Sequence, residues 1–145
     1  MAKSTMAMEP FGDRVKAMLS GKGVVFFQIV QENLSSSEPI ETIKMLDENG
    51  SQLAKLTSVM HIDKTAEIQA FSVEGWDPAR GYAQRLLKWY FAYLRKKGMN
   101  SVRCEIYKTD DKTHEKLECF KEFGFRATDM GGLGGTVQYA LEMKL

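Results

Sequence analysis

The chain has 145 residues, of which 43% are hydrophobic, 10% aromatic and 27% charged. That length fits one domain, and the apolar fraction excludes a disordered tail protein. No apolar run reaches the roughly 20 residues that span a bilayer, so we expect no membrane partner. The 20 basic and 19 acidic residues leave a net charge of +1, which argues against a general nucleic-acid-binding protein.

The cysteines and histidines suggest neither disulfides nor a metal site. Cys104 and Cys119 are too few for a disulfide framework, and their spacing from His61 and His114 does not match a zinc site. We therefore expect no metal. A Cys–His nucleophilic pair stays open, although nothing beside Cys119 marks its thiol as activated. The first ten residues carry one Lys and no apolar h-region, which predicts no secretory signal and a cytoplasmic location.

The first half of the chain is predicted to form a short helix and then a meander of strands. Residues 1–9 are small and polar and are expected to be frayed. Apolar residues at helical spacing predict a helix over residues 11–19. Asn49-Gly50 is a strong hairpin signal, because both residues tolerate a positive φ. The four predicted strands cover residues 24–30, 40–47, 52–62 and 65–73.

The second half begins where the hydrophobic period changes to that of a helix. The residues at helical spacing are Ala83, Leu86, Leu87, Tyr90, Phe91 and Leu94. Arg95–Gly98 is a favourable ending, with cations in the last turn and a glycine to close it. A second helix has Asp110-Asp111 as candidate caps and ends at Gly124, where Phe125 is placed for a hydrophobic contact. The remaining predicted strands cover residues 102–107, 125–128 and 136–145.

Together these elements predict an α+β fold. The sheet is expected to be mixed and mostly antiparallel, with about seven strands and helices on both faces. The unit from Thr65 to Tyr107 should form a right-handed crossover between parallel strands. Since there is no internal repeat or linker, residues 1–145 are expected to form a single domain, with residues 1–9 disordered.

The turn over residues 72–84, between a strand and the long helix, has the features of an anion site. The first backbone N–H groups of a helix have no internal partner and favour negative charge. Gly81 has no Cβ to hinder a phosphate, and Arg80 adds a cation. In the alternative interpretation, Asp77 is an N-cap, Pro78 opens the first turn and Arg80 is solvated. The turn is neither a Walker loop nor the three-glycine dinucleotide motif.

Here the sequence resembles the GNAT superfamily of N-acetyltransferases, over roughly its last hundred residues. Pro78–Ala83 looks like that family's acetyl-CoA pyrophosphate loop, written Q/R-x-x-G-x-G/A. Glu118–Phe125 resembles its last helix, which runs into a Gly-Phe pair. The strand Glu67–Val73 resembles the strand before the loop, most closely in the histone-acetyltransferase branch. The order of elements from about residue 40 onward is also similar.

The resemblance implies a GNAT-like acyl-CoA N-acyltransferase fold and the transfer of acetyl from acetyl-CoA, the co-substrate, to a primary amine. It implies that the strand Phe71-Ser72-Val73, through the backbone of Phe71 and Val73, pairs with the pantetheine arm as an added strand pairs with an edge. Backbone N–H groups around the loop would hold the pyrophosphate. The residues concerned are Ala79, Arg80, Gly81, Tyr82, Ala83 and Gln84.

The same resemblance places Glu67 where the histone-acetylating branch has its general base. An alkyl amine is almost fully protonated at neutral pH, so a base must remove a proton before the nitrogen attacks. Glu67 lies in a strand otherwise poor in charge, which favours partial burial. The alternative is that Glu67 faces solvent together with Gln69. Glu74, nearer the loop, is a second candidate base.

The sequence departs from the family motif at positions that matter for catalysis. Pro78 replaces the first Gln or Arg of the loop, and Ala83 replaces the second glycine, which the pattern allows. The helix tyrosine often used to protonate the leaving thiolate aligns with Phe120, or with Cys119 in the register of the histone-acetylating branch. Tyr107, at the end of the strand after the long helix, is the substitute acid candidate.

Two functions from different classes are compatible with these residues. The first is an N-acetyltransferase that acts by direct attack, without a covalent enzyme intermediate, on a small-molecule or protein amine. The second, motivated by the missing tyrosine, is a catalytically inactive acyl-CoA-binding or protein-interaction module on the same fold. A homodimer is an open alternative for either. Gly131–Gly135 precedes a strand, which favours a loop beside the acceptor site over a phosphate loop. Trp76 and Trp89 belong either to the core or to the wall of the site.

Overall fold

The computed structural model describes residues 5–8, 25–32, 38–74, 76, 81–107, 112–131 and 137–145, the first of these ranges as backbone alone. The strands are β1 (Thr5–Met8), β2 (Phe26–Glu32), β3 (Ile40–Leu46), β4 (Gln52–Met60), β5 (Thr65–Val73), β6 (Ser101–Tyr107), β7 (Arg126–Asp129) and β8 (Val137–Lys144). The helices are α1 (Tyr82–Lys96) and α2 (Thr113–Glu122). Neither of these two helices is long and apolar enough to cross a membrane.

All eight strands belong to one sheet, in the order β1-β2-β3-β4-β5-β6-β8-β7. Every neighbouring pair is antiparallel except β5 and β6, which run parallel and are connected through α1. The predicted α+β fold, with a mixed and mostly antiparallel sheet and a β-α-β unit at its centre, is therefore confirmed.

The structure differs from the prediction at the amino-terminal end. Thr5–Met8, within the segment expected to be frayed, pair antiparallel with β2. So short a strand carries no clear alternation of its own, and its neighbour's backbone decides its structure. The helix predicted over residues 11–19 lies outside the described residues, as do the candidate caps Asp110-Asp111. The N-cap of α2 is Lys112.

The predicted hairpin between β3 and β4 is confirmed, with different turn chemistry. Gly50 adopts a positive φ of 82°, whereas Asn49 does not. The Oδ1 atom of Asp47 instead accepts hydrogen bonds from the backbone N–H groups of Asn49 and Ser51, both at 2.9 Å. The Asp47 side chain therefore stabilises a turn that needs a left-handed backbone only at its glycine.

Both helices end as their sequences predict. At the end of α2, the N–H of Phe125 donates to the carbonyl of Phe120 at 3.2 Å, and the two rings lie 5.0 Å apart. Gly124 between them has a φ of 101°. The end of α1 repeats this arrangement around Gly98, which has a φ of 80°. A left-handed glycine followed by a hydrophobic contact is the Schellman ending.

Both described helices pack against the same face of the sheet, which we call the helix face. Helix α1 contacts β4 and β5, and α2 contacts β6 and β7. The whole apolar stripe predicted for α1 is buried there. A chain of rings joins the layers, because Phe120 of α2 lies 5.6 Å from Phe71 of β5, and Phe125 lies 5.7 Å from Phe91 of α1.

The opposite face carries a row of alternating charges that crosses four strands. Glu67 of β5, Arg103 of β6, Glu142 of β8 and Arg126 of β7 are neighbours in the sheet register. Ion pairs of 3.5 Å join Glu67 to Arg103 and Glu142 to Arg126. We call this surface the charged face.

Strands β5 and β6 separate after only four paired residues. The pairing joins Thr65–Ile68 to Ser101–Cys104, while β5 continues to Val73 and β6 to Tyr107. The register between β4 and β5 shifts at Gln69, which forms a bulge where the separation begins. Because a bulge bends and twists its strand, it accounts for the divergence. We call the resulting gap the split.

Candidate active site

Among the described residues, no strand pairs with the β5 edge that borders the split. A small cavity of about 60 Å³ lies in it, lined by Ile68–Phe71 on β5, Cys104–Tyr107 on β6 and Phe120 on α2. Ser72 and Val73 continue the β5 edge beyond the cavity. Backbone groups along an unpaired edge can pair with an extended ligand. The residues predicted to pair with the pantetheine arm, Phe71–Val73, therefore lie along this edge of the split.

Helix α1 begins beside the end of β5. Its N-cap is Gly81, in the left-handed conformation with a φ of 68°, and no side chain of the described residues caps the helix. The first intrahelical bond runs from the N–H of Arg85 to the carbonyl of Gly81, at 3.0 Å. Intrahelical hydrogen bonding therefore begins at Arg85, after the first turn of α1. No acidic residue lies in the first turn, which leaves the positive end of the dipole without a negative side chain of its own.

The predicted loop residues Ala79 and Arg80 lie outside the described residues, as do Asp77 and Pro78. The start of α1 nevertheless bears on the interpretation in which this turn is an ordinary helix cap. Because Gly81 is the N-cap, the alternative in which Asp77 caps this helix and Pro78 opens its first turn is wrong.

A cavity of about 340 Å³ lies between the start of α1 and helix α2. Its lining residues are Val73, Trp76, Ala83 and Gln84 on one side and His114, Glu115, Glu118, Cys119 and Glu122 on the other. The first wall contains three of the predicted cofactor residues. The second carries three carboxylates, which accept hydrogen bonds from N–H and O–H groups and repel phosphate. A phosphate in this cavity would be more stable on the α1 side.

Glu67 lies on the charged face, beside the last paired residues of β5 and β6. Its side chain is 28% exposed, whereas Gln69 belongs to the exposed residues. The Oε1 atom contacts Nε2 of His61 at 2.8 Å and Nη2 of Arg103 at 3.5 Å. Among the described residues, no group engages Oε2. A cavity of about 320 Å³ adjoins this carboxylate, so Glu67 is fixed by partners and still reachable from outside.

Glu67 contacts His61 directly and is linked through it to Glu38, and the sequence predicts no role for either residue beside Glu67. His61 follows β4, and its Nδ1 atom contacts the carboxylate of Glu38 while its Nε2 atom contacts Glu67. The hydrogen bonds to Glu38 and then Glu67 raise the pKa of His61, against smaller lowering effects of burial and of Arg103. The strand period places His61 on the same face as Glu67 only once the β4–β5 register is known, because Val59 is opposite Glu67 and His61 is two residues further. Glu38 is placed by tertiary structure alone.

The other two predicted catalytic residues lie apart from Glu67. Glu74 is exposed just beyond β5, where its N–H donates to the carbonyl of Leu53 at 2.8 Å. Seven residues of extended chain, roughly 23 Å, separate it from Glu67. Tyr107 is on the charged face at the far end of the split, four residues or roughly 13 Å beyond Arg103. Glu67 and Tyr107 therefore flank the split, and Glu74 does not.

Neither cysteine has the environment of a nucleophile. Cys104 and Cys119 are buried, and burial raises the pKa of each thiol to about 12. Cys119 and His114 line the same cavity, but a thiol with that pKa is protonated at neutral pH, which argues against a Cys–His nucleophilic pair. Within the described part of the chain, no group of three His, Cys, Asp or Glu residues is arranged to hold a metal ion.

The two tryptophans have different positions. Trp76 lines the larger cavity and meets Phe71 edge-on at 5.3 Å. Trp89 stacks between Phe27 of β2, at 4.8 Å, and Tyr93 of α1, at 5.3 Å. Trp76 therefore belongs to the wall of the site, and Trp89 belongs to the core.

No family model matches this sequence, and no curated protein matches it. Several solved structures are similar. An acetyltransferase from Bacillus cereus is 18% identical, with 73% of each chain covered and a TM-score of 0.59. An acetyltransferase of the GNAT family from Staphylococcus aureus is 11% identical, covering 73% of this chain and 68% of that one, with a TM-score of 0.60. The PaiA N-acetyltransferase from Thermoplasma acidophilum, solved with coenzyme A, is 15% identical over 73% of this chain and 61% of that one, with a TM-score of 0.58. The chain therefore has the fold of GNAT acetyltransferases.

Proposed function

We propose that this protein is an acetyl-CoA-dependent N-acetyltransferase that transfers the acetyl group to a primary amine by direct attack. The observation that carries the proposal is the split between parallel strands β5 and β6, which has the N-terminus of α1 beside it and Glu67 at its closed end. The similarity of fold to acetyltransferases, one of them bound to coenzyme A, supports the same conclusion.

In this proposal the coenzyme A moiety lies along the helix face and enters the split. The pyrophosphate contacts the turn before α1, through backbone N–H groups around residues 79–84. The pantetheine arm runs along the β5 edge at Phe71–Val73. The carboxylates of α2 accept hydrogen bonds from the N–H and O–H groups of that arm, since Glu118 lines the cavity opposite Val73.

Glu67 is the general base. A primary amine with a pKa near 10.4 arrives as an ammonium, and its nitrogen has no lone pair until a proton leaves. The Oε2 atom of Glu67 is the oxygen available to take that proton, because both described partners engage Oε1. Glu74 lies too far from Glu67 to share this task and is not included in the proposed machinery.

The neutral amine then attacks the thioester carbonyl. A C–N bond forms, the C–S bond breaks, and coenzyme A leaves as a thiolate. Backbone N–H groups of β5, freed where the strand bulges away from β6, can meet the negative charge that develops on the carbonyl oxygen. Tyr107 is the proposed proton donor to the thiolate, which is a fair leaving group because free thiols titrate near 8.5.

The acceptor is proposed only as a class, a primary amine on a small molecule or on a protein. The cavity beside Glu67 is lined by Arg103 and Arg126 as well as by the carboxylates of Glu105 and Glu142. Such a mixed surface does not select strongly for one charge. The resemblance of β5 to the histone-acetylating branch makes protein lysines one set of acceptors to test.

A catalytically inactive acyl-CoA-binding or interaction module is the second candidate, and one observation favours it. Phe120, at the position of the usual helix tyrosine, is only 2% exposed and packs between Phe71 and Phe125. Helix α2 therefore supplies no acid at this position. Binding of acetyl-CoA without turnover on any amine would support this candidate.

Thermal unfolding with and without acetyl-CoA tests the binding half of the proposal. At a ligand concentration about 100 times Kd, mass action adds about 2.7 kcal/mol, which raises the Tm of a chain this long by roughly 5–10 °C. The variant Gly81→Val should lose this shift, because a side chain at a left-handed N-cap disturbs the turn that binds the phosphates.

Gly50→Val is the matched control, since Gly50 also has a positive φ but lies in the β3–β4 hairpin with open space around it. It should lower the Tm of the free protein and keep the ligand-induced shift. Absence of a shift in the wild type at millimolar acetyl-CoA would refute the proposal. Release of the coenzyme A thiol with a panel of polyamines, lysine peptides and N-terminal peptides then separates the enzyme from the inactive module.

A further inference from the structure

Glu67 is one end of a line of three titratable side chains on the charged face. Its Oε1 atom contacts Nε2 of His61 at 2.8 Å, and Nδ1 of the same ring contacts the carboxylate of Glu38. The three groups come from different segments: Glu38 precedes β3, His61 follows β4, and Glu67 is in β5. Exposure of the side chains is 28% for Glu67, 20% for His61 and 48% for Glu38.

We propose that His61 and Glu38 are positioning residues that act through Glu67, with His61 receiving the proton that Glu67 takes from the acceptor amine. This inference rests on the proposed acetyltransferase function. Glu38 holds the His61 ring with Nδ1 protonated. When the ring is neutral, its Nε2 lone pair faces Oε1 of Glu67, and the 2.8 Å contact becomes a hydrogen bond once a proton lies between these two atoms. The logic is that of a carboxylate behind a catalytic histidine, which orients the ring and stabilises its charged form.

One proton passes from the acceptor ammonium through Glu67 to His61. At the start the acceptor is an ammonium, Glu67 and Glu38 are carboxylates, and His61 is neutral with its proton on Nδ1. An N–H bond of the ammonium breaks and an O–H bond forms on Glu67. The carboxyl group then turns about its Cγ–Cδ bond so that the protonated oxygen faces His61, and the O–H bond breaks as an N–H bond forms at Nε2. The products are a neutral amine, a Glu67 carboxylate and an imidazolium, which afterwards loses its proton to water.

The charges around His61 favour this path. Glu38 and Glu67 face the ring from two sides, and both raise the pKa of His61 above its ordinary value of 6.5. Arg103 faces it from β6 and lowers that pKa by a smaller effect, together with burial. An imidazole held between two carboxylates is a better proton acceptor than a free one. It also returns Glu67 to the ionised form in which it can act again.

The contacts of Glu67 explain why a second proton acceptor beside it would aid catalysis. Its Oε1 atom is shared by His61 and Arg103, so the carboxylate is tied at one oxygen and available at the other. A proton left on Glu67 would weaken its contact with Arg103. Transfer to His61 moves the positive charge toward Glu38, whose carboxylate is nearly half exposed. Exchange with water is therefore easier at that end of the line.

The test compares Glu38→Gln, His61→Gln and Glu67→Gln with the control Glu48→Gln, an exposed glutamate in the β3–β4 turn. The first readout is the imidazole NMR titration of His61, identified in a His114→Gln background because the chain has only two histidines. The second is the pH dependence of kcat for the best amine of the acceptor panel, in buffers without imidazole.

We expect the wild-type kcat to rise with pH through the same pKa that NMR gives for His61, above 6.5. Glu38→Gln should lower both values together and reduce kcat at alkaline pH on the order of tenfold, less than the loss of the base itself. His61→Gln should lose this pH step, and added imidazole should restore part of its activity. Glu48→Gln should match the wild type in both readouts.

Three results would overturn the inference. If the pKa of His61 is not above 6.5, or if it does not fall in Glu38→Gln, the contacts of His61 with Glu38 and Glu67 on which the inference rests are refuted. This holds whether or not the protein turns over an amine. A wild type that acetylates amines while Glu38→Gln keeps the pH profile of Glu48→Gln refutes the relay and leaves the acetyltransferase intact. A wild type that acetylates no amine in the panel refutes both proposals.

Discussion

The two faces of the sheet place a glutamate carboxylate in opposite environments. On the helix face, Glu41 is 1% exposed, and its Oε2 atom accepts hydrogen bonds from Tyr93 and, at 2.5 Å, from Gln31. The same oxygen lies 3.8 Å from Nζ of Lys97. On the charged face, Glu67 also has charged or titratable partners, but it keeps more than a quarter of its surface. A buried carboxylate stabilises the fold, whereas an accessible one can also exchange protons.

Burial alone therefore does not identify an active site in this protein. Among the described residues of the helix face, buried Oε1 of Glu41 has no hydrogen-bond partner, and the buried hydroxyls of Ser58 and Tyr90 have none except each other. Burial raises the pKa of Tyr90, so its phenol stays protonated. These atoms lie under α1, where no acceptor amine can reach them. We expect changes on the helix face to affect stability and changes on the charged face to affect turnover.

The largest expected effect is on the charged face. Glu67→Gln should lower kcat/KM for the panel amine by about 10²–10⁴, the contribution of a general base, with a change in unfolding free energy of less than about 1 kcal/mol. The measurements are acetyl-transfer kinetics and urea unfolding of the same preparation. Retention of wild-type turnover would show that this carboxylate is not the base.

The next largest expected effect is the slow reaction of the two buried thiols on the helix face. At pH 8 a thiol of pKa about 12 has on the order of 10³ times less thiolate than one of pKa 9. Cys104 and Cys119 should therefore react with a disulfide reagent very slowly in the folded protein and rapidly in urea. Fast labelling of Cys119 in the folded state would mean that the cavity beside α2 is more open than its burial indicates.

Tyr93→Phe should destabilise the protein without affecting turnover. It removes a hydroxyl that donates to the sealed carboxylate of Glu41, which costs about 2 kcal/mol and lowers the Tm by roughly 5 °C. The triple variant Gln31→Leu/Glu41→Leu/Tyr93→Phe is the control, because replacing the carboxylate and both of its hydrogen-bond donors by apolar groups should recover part of the loss. A reduced kcat/KM in a folded Tyr93→Phe protein would contradict the separation of the two faces.

The smallest effect is the pH dependence of stability at His61. Because its folded pKa is raised above 6.5, the stabilisation is fully present below that pH and is lost as the pH rises through the raised value. The difference in unfolding free energy between the wild type and His61→Gln should therefore shrink as the pH rises above about 6.5. We expect less than about 1 kcal/mol, since Glu38 is half exposed. A difference that grows with pH would contradict the ion-pair geometry.

Much of the fold could be predicted because its signals are local. The bounds predicted for β5, residues 65–73, are those observed, and the glycine endings of both helices follow from four or five consecutive residues. The strand β1 could not be predicted, since only pairing with β2 defines it. The predicted cofactor residues from Phe71 to Val73 and from Gly81 to Gln84 lie where a strand edge and a helix start meet.

The site was predicted less completely than the fold. Glu67 was chosen by resemblance, and its partial burial agrees with the expectation from its apolar neighbours. Its contacts with His61 and Glu38 depend on the β4–β5 register and on the chain entering β3, and neither is visible in the sequence. Glu74 and Tyr107 are close to the loop and the strand end in the chain, but only the diverging strands show that Tyr107 flanks the split and Glu74 does not.

By itself, the amino-acid sequence determined the order of the elements, the buried stripe of α1, the turns and the helix ends, because these depend on neighbours within a few residues. Only the tertiary structure decided which carboxylate is sealed and which is reachable. Glu41 and Glu67 both occupy strand positions among apolar residues, and their environments differ because α1 packs over one face of the sheet and β6 diverges from β5 next to the other. Solvent access is a property of the assembled layers, so no local pattern encodes it.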